Sequence, residues 1–196
     1  MKPTIIAITG PSCAGKDTLM HKIFLEFCAA QIFLSIFPDV FYIISTTTRP
    51  PRSGEINHKD YHFISDEKFQ ELIDRDCFLE WTEFRNWKYG TDKLNLTYTD
   101  GGINIGVFNL QGIKTLNKQE DFNVIPIYLI VDWKTRLIRS IKREKKISFE
   151  MIRRLITDYK DFRHPYEILG ANDNLLCYTD DYKIEDVMRD ILGRIK

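Results

Sequence analysis

The chain has 196 residues, of which 43% are hydrophobic and 29% charged, and its 28 basic and 28 acidic side chains cancel. This composition is typical of a soluble globular protein with room for one α/β domain. The absence of a basic excess argues against a nucleic-acid partner. No apolar run reaches the length of a membrane span, so we expect no membrane partner either.

The cysteines and histidines indicate neither a disulfide framework nor a metal centre. The four cysteines form no Cys-x-x-Cys pair, and the four histidines lack metal-ligand spacing. Scattered thiols fit a reducing compartment. Met1-Lys2-Pro3 leads directly into a predicted strand, which predicts the absence of a signal peptide. We therefore expect a cytoplasmic protein.

The first predicted elements are a strand over Thr4–Thr9, a glycine-containing loop, and a helix whose apolar residues have helical spacing. The loop and the start of the helix read GPSCAGKDT, from Gly10 to Thr18. A strand, a glycine loop and a helix with a lysine at its start form the context of a phosphate-binding loop. Its amides can surround anionic oxygens, and Lys16 adds a mobile positive charge.

The loop departs from the strict pattern directly after the lysine. That pattern places a serine or threonine there to bring a hydroxyl to magnesium. Here the position is Asp17, and the hydroxyl comes one residue later, at Thr18. Asp17 and Thr18 are therefore candidate metal ligands, and Asp17 is equally a candidate helix cap.

The later elements alternate between strands and helices, which predicts a parallel, three-layer α/β core. Apolar residues at 33–37 precede a break at Pro38-Asp39, and Phe41–Ile44 predicts a second buried strand. Residues 45–91 have a more polar texture, typical of an insertion, with one short helix near Asp66–Asp74. We then predict strands over 103–108, 124–131 and 175–178, and helices from about 111 and over 133–143, 149–162 and 184–195.

The predicted insertion contains residue types that suit a phosphate and a base. Arg49 and Arg52, three apart and separated by prolines, form a pair of guanidinium forks able to bind a phosphate bidentately. Tyr61 and Tyr89 add hydroxyls. Glu80, between apolar neighbours, can accept two parallel N–H bonds from one base edge. By itself each feature is also compatible with a solvent-facing loop or a strand-edge salt bridge.

Together these motifs resemble the guanylate kinase family from about Ile5 to Tyr178. GPSCAGKDTL is similar to the phosphate loop of that family, and STTTRPPRSGEINHKDYHF to its monophosphate-binding segment. FLEW followed by KYGT, and later NLQGIK, are similar to further family segments. The resemblance implies a P-loop kinase core over 1–44 and 92–196. It also implies a monophosphate-binding insertion over 45–91 and a small lid within 139–154.

The resemblance implies phosphoryl transfer from ATP to GMP or dGMP with Mg²⁺, by a monomer or homodimer. ATP phosphates would be bound by Gly10, Ser12, Cys13, Ala14, Gly15, Lys16, Asp17 and Thr18. The catalytic cations would be Lys16, Arg139, Arg143 and Arg154. The acceptor would be bound by Ser45, Arg49, Arg52, Tyr61, Glu80, Tyr89, Thr91 and Asn109.

This sequence departs from the family pattern at several of its positions. Val107 and Asn109 stand where the family has aspartates that help to hold magnesium and read the acceptor base. Cys13 replaces a glycine, and Tyr178 replaces an asparagine that commonly contacts adenine. Two alternatives follow: a kinase of the same fold acting on another or modified nucleotide, and a non-catalytic guanylate-kinase-like interaction module. The presence of Lys16 and the lid arginines favours catalysis over the module.

Overall fold

The computed structural model describes residues 1–34, 39–52, 54–84, 86–145, 148–169 and 174–195. The strands in these residues are β1 (Thr4–Thr9), β2 (Val40–Tyr42), β3 (Thr46–Thr47), β4 (His62–Phe63), β5 (Phe78–Phe84), β6 (Trp87–Asp92), β7 (Ile103–Val107), β8 (Asn123–Ile130) and β9 (Leu176–Thr179). The α-helices are α1 (Lys16–Leu34), α2 (Asp66–Asp74), α3 (Leu110–Leu116), α4 (Trp133–Glu144), α5 (Phe149–Asp161), α6 (Pro165–Leu169) and α7 (Ile184–Leu192). A 3₁₀ turn covers Lys93–Asn95.

Five strands form a parallel sheet in the order β2-β7-β1-β8-β9. All six residues of the central strand β1 are buried, as expected for a parallel strand covered on both faces. Ile6 and Ile8 pack in one core with residues of α1 and α7, while Ile5 and Ala7 pack in another with residues of α3 and α6. The predicted parallel α/β core is confirmed.

A second, mixed sheet has the order β4-β3-β6-β5. β3 pairs parallel to β4 and antiparallel to β6, and β5 and β6 form an antiparallel hairpin. The helix α2 packs on this sheet through Phe69, whose ring stacks on that of Phe78 with centroids 4.6 Å apart. Except for the end of β6, this sheet lies within the predicted insertion.

The structure differs from the sequence prediction at β2, which is not a buried strand. It covers Val40–Tyr42, and among the described strands it pairs with β7 alone, so it is an edge strand, and Phe41 is 42% exposed. Among the helices, α3 begins one residue earlier than predicted, and α7 ends at Leu192 rather than Ile195. Of the predicted break at Pro38-Asp39, Pro38 lies outside the described residues, so the break stays a prediction.

Candidate active site

The loop between β1 and α1 has the curled backbone that its motif predicts. Gly10, Cys13 and Gly15 have positive φ values of 149°, 62° and 95°. A Cβ at Gly10 would lie 2.9 Å from the carbonyl oxygen of Leu129, so only glycine fits where the loop leaves the sheet. Cys13 adopts its left-handed conformation at a cost of about 1 kcal/mol. Cys13 thus has a backbone conformation that favours glycine.

Lys16 folds back over this loop. Its Nζ donates to the carbonyl oxygens of Gly10, at 2.9 Å, and Pro11, at 3.0 Å. Burial lowers the pKa of Lys16, while the nearby carboxylates of Asp17 and Asp158 act in the opposite direction. Two neutral carbonyl groups therefore hold the ammonium, and an anionic phosphate oxygen would be a stronger partner.

The helices α4 and α5 bring the three predicted lid arginines to the same region. Arg139 donates to the carboxylate of Asp180 at 3.1 Å. Arg154 is paired with Glu144, and Arg143 lies 3.6 Å from the same carboxylate. Burial, and then two neighbouring arginines, lower the pKa of Arg154, although a guanidinium keeps its charge at neutral pH. Each arginine therefore has a carboxylate partner within the protein.

The two arginines of the predicted acceptor segment share Glu55. Arg49 is buried and makes a bidentate contact with the Glu55 carboxylate, with N–O distances of 2.9 and 3.0 Å. Its guanidinium also lies over the rings of Tyr61 and Phe63. The backbone amide of Arg52 donates to Glu55 at 2.7 Å, while its side chain is half exposed. Glu55 fixes the loop and leaves Arg52 as the accessible fork.

The two tyrosines lie side by side, with the rings of Tyr61 and Tyr89 edge-on and 6.3 Å between centroids. Burial raises the pKa of Tyr61 to about 12, with a further contribution from the negative charge of Asp17. The Tyr61 hydroxyl thus stays protonated at neutral pH and can donate to an anion.

Glu80 is a buried carboxylate on β5, only 6% exposed. It accepts a hydrogen bond of 2.8 Å from the hydroxyl of Thr91 on β6. Burial raises the pKa of Glu80 to about 7, against the smaller lowering effect of the Thr91 hydrogen bond. Gly112 of α3 lies on its other side, where a Cβ would be 2.9 Å from Glu80 Oε2. The carboxylate is therefore held between a strand and a helix.

Two residues that depart from the resembled family are tied into the fold. Asn109 caps α3, because its Oδ1 accepts from the amide of Gly112 at 2.7 Å, and its Nδ2 donates to Thr82 Oγ1 at 2.6 Å. The hydroxyl of Tyr178 donates to Asp190 of α7 at 2.8 Å. Both side chains have structural partners, which sequence reasoning did not reveal.

These residues surround a cleft of about 660 Å³ between the two sheets and the lid helices. The predicted site residues that line it are Gly10, Ser12, Cys13, Gly15, Lys16, Asp17, Thr18, Ser45, Arg52, Tyr61, Glu80, Tyr89, Asn109, Arg139, Arg143 and Arg154. Three others, Ala14, Arg49 and Thr91, are buried behind this lining. The structure thus brings together residues far apart in sequence, and three of the predicted contacts lie one layer deeper.

Sequence reasoning missed Glu55, Arg136 and Asp158. Asp158 accepts a hydrogen bond from the loop at Ser12 and pairs with Arg136. Helical spacing was the available signal, because Asp158 follows Arg154 by four residues and Arg136 precedes Arg139 by three. Within the described ranges, no group of three or more His, Cys, Asp or Glu residues could hold a metal ion. No helix in that part of the chain is long and apolar enough to span a membrane.

Comparisons with known proteins identify the family. The family described as guanylate kinase matches residues 1–187. The chain belongs to the guanylate kinase family. A guanylate kinase of Campylobacter jejuni (strain RM1221) is 35% identical over 183 residues, covering 89% of this chain and 83% of the relative. Another, from Prochlorococcus marinus subsp. pastoris (strain CCMP1986 / NIES-2087 / MED4), is 30% identical over 194 residues, covering 98% of this chain and 96% of the relative.

The fold agrees with that membership. The crystal structure of guanylate kinase from Anaplasma phagocytophilum matches with a TM-score of 0.62 and 20% identity, covering 100% of this chain and 88% of the other. This likeness concerns the fold. Family membership makes the chain a nucleoside monophosphate kinase, with ATP-dependent phosphorylation of GMP as its activity. Neither alternative considered above is favoured by these comparisons.

Proposed function

We propose that this chain transfers the γ-phosphoryl group of ATP to GMP or dGMP within the cleft, with Mg²⁺ as cofactor. The observation that carries the proposal is that one cavity is lined both by an acidic group suited to a base and by a basic loop suited to phosphates. A buried carboxylate, Glu80, and a phosphate loop with Lys16 line the same 660 Å³ space. A base-reading group and a polyphosphate-binding group must both be within reach of one reaction centre.

On the acceptor side, we propose that ionised Glu80 accepts hydrogen bonds from N1–H and N2–H of guanine. Adenine has no such pair of donors on that edge, so it would leave a buried carboxylate unpaired, and polar sites reject analogues strongly for this reason. Ser45, which lines the cleft, would lie near O6, whereas Thr91, buried behind the lining, would orient Glu80 through its hydroxyl. Arg52, Tyr61 and Tyr89 would hold the monophosphate, Asn109 would face the acceptor from the cleft wall that it lines, and Arg49 would support the pocket from behind.

On the donor side, the Lys16 ammonium and the other loop residues would hold the ATP phosphates, namely Gly10, Ser12, Cys13, Ala14, Gly15, Asp17 and Thr18. An oxygen of the GMP phosphate attacks the γ-phosphorus, and the bond from that phosphorus to the bridging oxygen of ADP breaks. Such a transfer needs no protein nucleophile, because positioning and neutralisation of the equatorial oxygens supply the catalysis. Arg139, Arg143 and Arg154 would exchange their carboxylate partners for phosphate oxygens.

Oxygen ligands adjacent to Lys16 fit a magnesium ion. Asp17 offers a carboxylate and Thr18 a hydroxyl, both line the cleft, and Mg²⁺ prefers hard oxygen ligands together with substrate phosphates. Bound there, the ion would neutralise charge on the donor phosphates. Val107, which also lines the cleft, offers no ligand atom, so Asp17 would supply the negative charge that position 107 lacks.

The division of the chain follows from these roles. We propose that 45–91 binds the acceptor, that 1–44 and 92–196 form the donor-binding core, and that 139–154 closes as the lid. The mixed sheet formed largely by residues 45–91 supports this division. The cytoplasmic location and the monomeric or homodimeric state stay predictions.

The test is a coupled ADP-release assay of the purified chain with ATP, Mg²⁺ and each common NMP and dNMP. We expect GMP and dGMP to give kcat/KM values at least about 10²-fold above those of AMP. A preference for a pyrimidine monophosphate would overturn the role of Glu80. Binding of GMP without any ADP release would instead support a non-catalytic module.

A further inference from the structure

A buried ion pair joins the two lid-flanking helices. Arg136 of α4 is 6% exposed and Asp158 of α5 is 2% exposed. Their Nη1 and Oδ2 atoms are 3.2 Å apart. Burying two charges has a desolvation cost that their attraction often fails to offset. The Nε of Arg136 also has no hydrogen-bond partner among the residues described. Stability alone is therefore a weak reason for this pair.

The same carboxylate also holds the phosphate loop. Asp158 Oδ2 accepts from the backbone amide of Ser12 at 2.8 Å, and Oδ1 accepts from the Ser12 hydroxyl at 3.2 Å. Arg136 and Ser12 thus contact one side chain from different directions. A single carboxylate connects the loop, α4 and α5, and its two oxygens make these contacts directional.

The contacts of Asp158 with Arg136 and Ser12 form a junction that lies on the same helix faces as the lid arginines. Asp158 follows Arg154 by one turn of α5, so both lie on the same face of that helix. Arg136 precedes Arg139 by three residues and Arg143 by seven, which places these three on one face of α4. The junction is therefore at the base of both arginine-bearing faces, where a small shift would move every lid arginine relative to the loop.

We propose that Asp158, neutralised by Arg136, is a positioning residue that sets the distance between the phosphate loop and the lid arginines. This inference rests on the proposed function, because it takes the roles of the loop and the arginines from there. Phosphoryl transfer depends on in-line alignment, and a displacement of about 1 Å can cost about 10²-fold in rate. The hydrogen bonds to Ser12 supply that alignment, and Arg136 removes the repulsion that a bare carboxylate would exert on ATP.

Two double variants separate positioning from folding. Arg136→Met with Asp158→Leu removes both charges and the acceptor for Ser12. Arg136→Met with Asp158→Asn also removes both charges but keeps an amide oxygen that can accept from Ser12. Neither leaves an unpaired buried charge, the change that makes single substitutions at such pairs destabilising. The two proteins differ mainly in whether the loop keeps its partner on α5.

We expect the double variant with Asp158→Leu to have a kcat about tenfold or more below that of the double variant with Asp158→Asn, at equal Tm. The KM for GMP should change less than twofold in both, because the hydrogen bonds that differ between the variants run to the phosphate loop. Equal kcat values in the two folded variants would overturn the proposal. So would a fall in kcat that merely follows a fall in Tm.

Ser12→Ala gives a second test if the double variant with Asp158→Leu does not fold. It deletes one hydroxyl donor and leaves both buried charges in place. We expect a kcat about threefold lower with an unchanged Tm and unchanged KM for GMP, and a wild-type kcat would overturn the proposal. Failure of the proposed function is distinguishable, because the wild-type chain would then release no GMP-dependent ADP.

Discussion

The two sides of the cleft hold their charged groups in opposite ways. On the donor side, Lys16 and the lid arginines contact carbonyls and carboxylates that a nucleotide phosphate can replace. On the acceptor side, Glu80 is buried between Thr91 and Gly112. Long cationic side chains can change partners by rotation, whereas a short carboxylate enclosed by a strand and a helix cannot. The donor side is therefore adjustable and the acceptor side preformed.

This difference suggests a division of labour. Substitutions on the donor side should lower kcat, because those groups act when charge moves between phosphates. Substitutions on the acceptor side should change base selection and its dependence on pH. The following experiments test each half of the comparison.

Removing the loop lysine should have the largest effect. In Lys16→Ala, we expect kcat to fall by about 10²-fold or more, because the variant loses the ammonium that we propose stabilises charge on the transferring phosphoryl group. Circular dichroism and Tm should match those of the wild type. Lys118→Ala, an exposed lysine after α3, is the control and should keep wild-type kinetics. Near-normal turnover of Lys16→Ala would mean that the donor site is assigned wrongly.

The pH dependence of GMP use should reveal Glu80. Because its pKa is raised to about 7 by burial, only a minor fraction is ionised at pH 6. We expect kcat/KM for GMP to rise about tenfold from pH 6 to pH 8. Glu80→Gln should have a low kcat/KM for GMP that lacks this rise, which separates Glu80 from the ionisation of the nucleotides. A wild-type profile that matches that of Glu80→Gln would contradict the assignment.

Glu80 should also make the folded protein less stable as pH rises, whereas it makes GMP use more efficient. A carboxyl with a raised pKa keeps a proton in the folded state that the unfolded chain releases. The free energy of unfolding therefore falls as pH rises between the ordinary pKa of 4.5 and about 7. Compared with Glu80→Gln, the wild type should lose up to about 3 kcal/mol over this window. Denaturant titrations at pH 5 and pH 8 would measure it.

Substitutions of Asp17 test whether its carboxylate binds magnesium on the donor side. If its carboxylate helps to hold Mg²⁺, Asp17→Asn and Asp17→Ser should both need about tenfold more Mg²⁺ for half-maximal activity. The structure does not bear out the capping alternative, because α1 begins at Lys16 and Asp17 lies inside its first turn. There the carboxylate can interact with the helix dipole, and the Tm of the two variants measures that contribution separately from metal binding. An unchanged magnesium dependence in both variants would leave only this role in the helix.

A substitution of Asn109 should have the smallest effect, and it tests how the acceptor side selects the base. Asn109→Asp can still accept from Gly112, and Thr82 can turn its hydroxyl to donate. The second carboxylate oxygen would add an acceptor for guanine, so we expect kcat/KM for GMP to rise about threefold, with AMP unaffected. Asn95→Asp, outside the cleft lining, controls for the added charge. A fall for GMP would mean that the amide itself serves the pocket.

The fold was predictable where local pattern and packing agree. The buried run of β1 and the loop after it read correctly because a parallel central strand is apolar throughout. The edge position of β2 was not predictable, because Phe41 and its neighbours have the composition of a buried strand and only pairing order decides exposure. Such order is a tertiary property.

In the candidate site, motifs indicated which residues meet but not how they are paired. Arg49 and Arg52 read as equivalent forks, yet Glu55 buries one and leaves the other accessible. The Asp158 contact with Ser12 links positions 146 residues apart, and no spacing rule connects them. Pairings between distant segments arise only once the sheet has brought them together.

On the proposed role of Glu80, Gly112 would influence which nucleotide is accepted without contacting it. The first turn of α3 lies so close to Glu80 that any side chain at position 112 would displace the carboxylate oxygen. If Glu80 reads the base as we propose, base selection depends partly on the absence of a side chain from this helix. An effort to redesign the acceptor could begin there: enlarging this residue would tilt the Glu80 carboxylate while every polar group of the pocket stayed chemically unchanged.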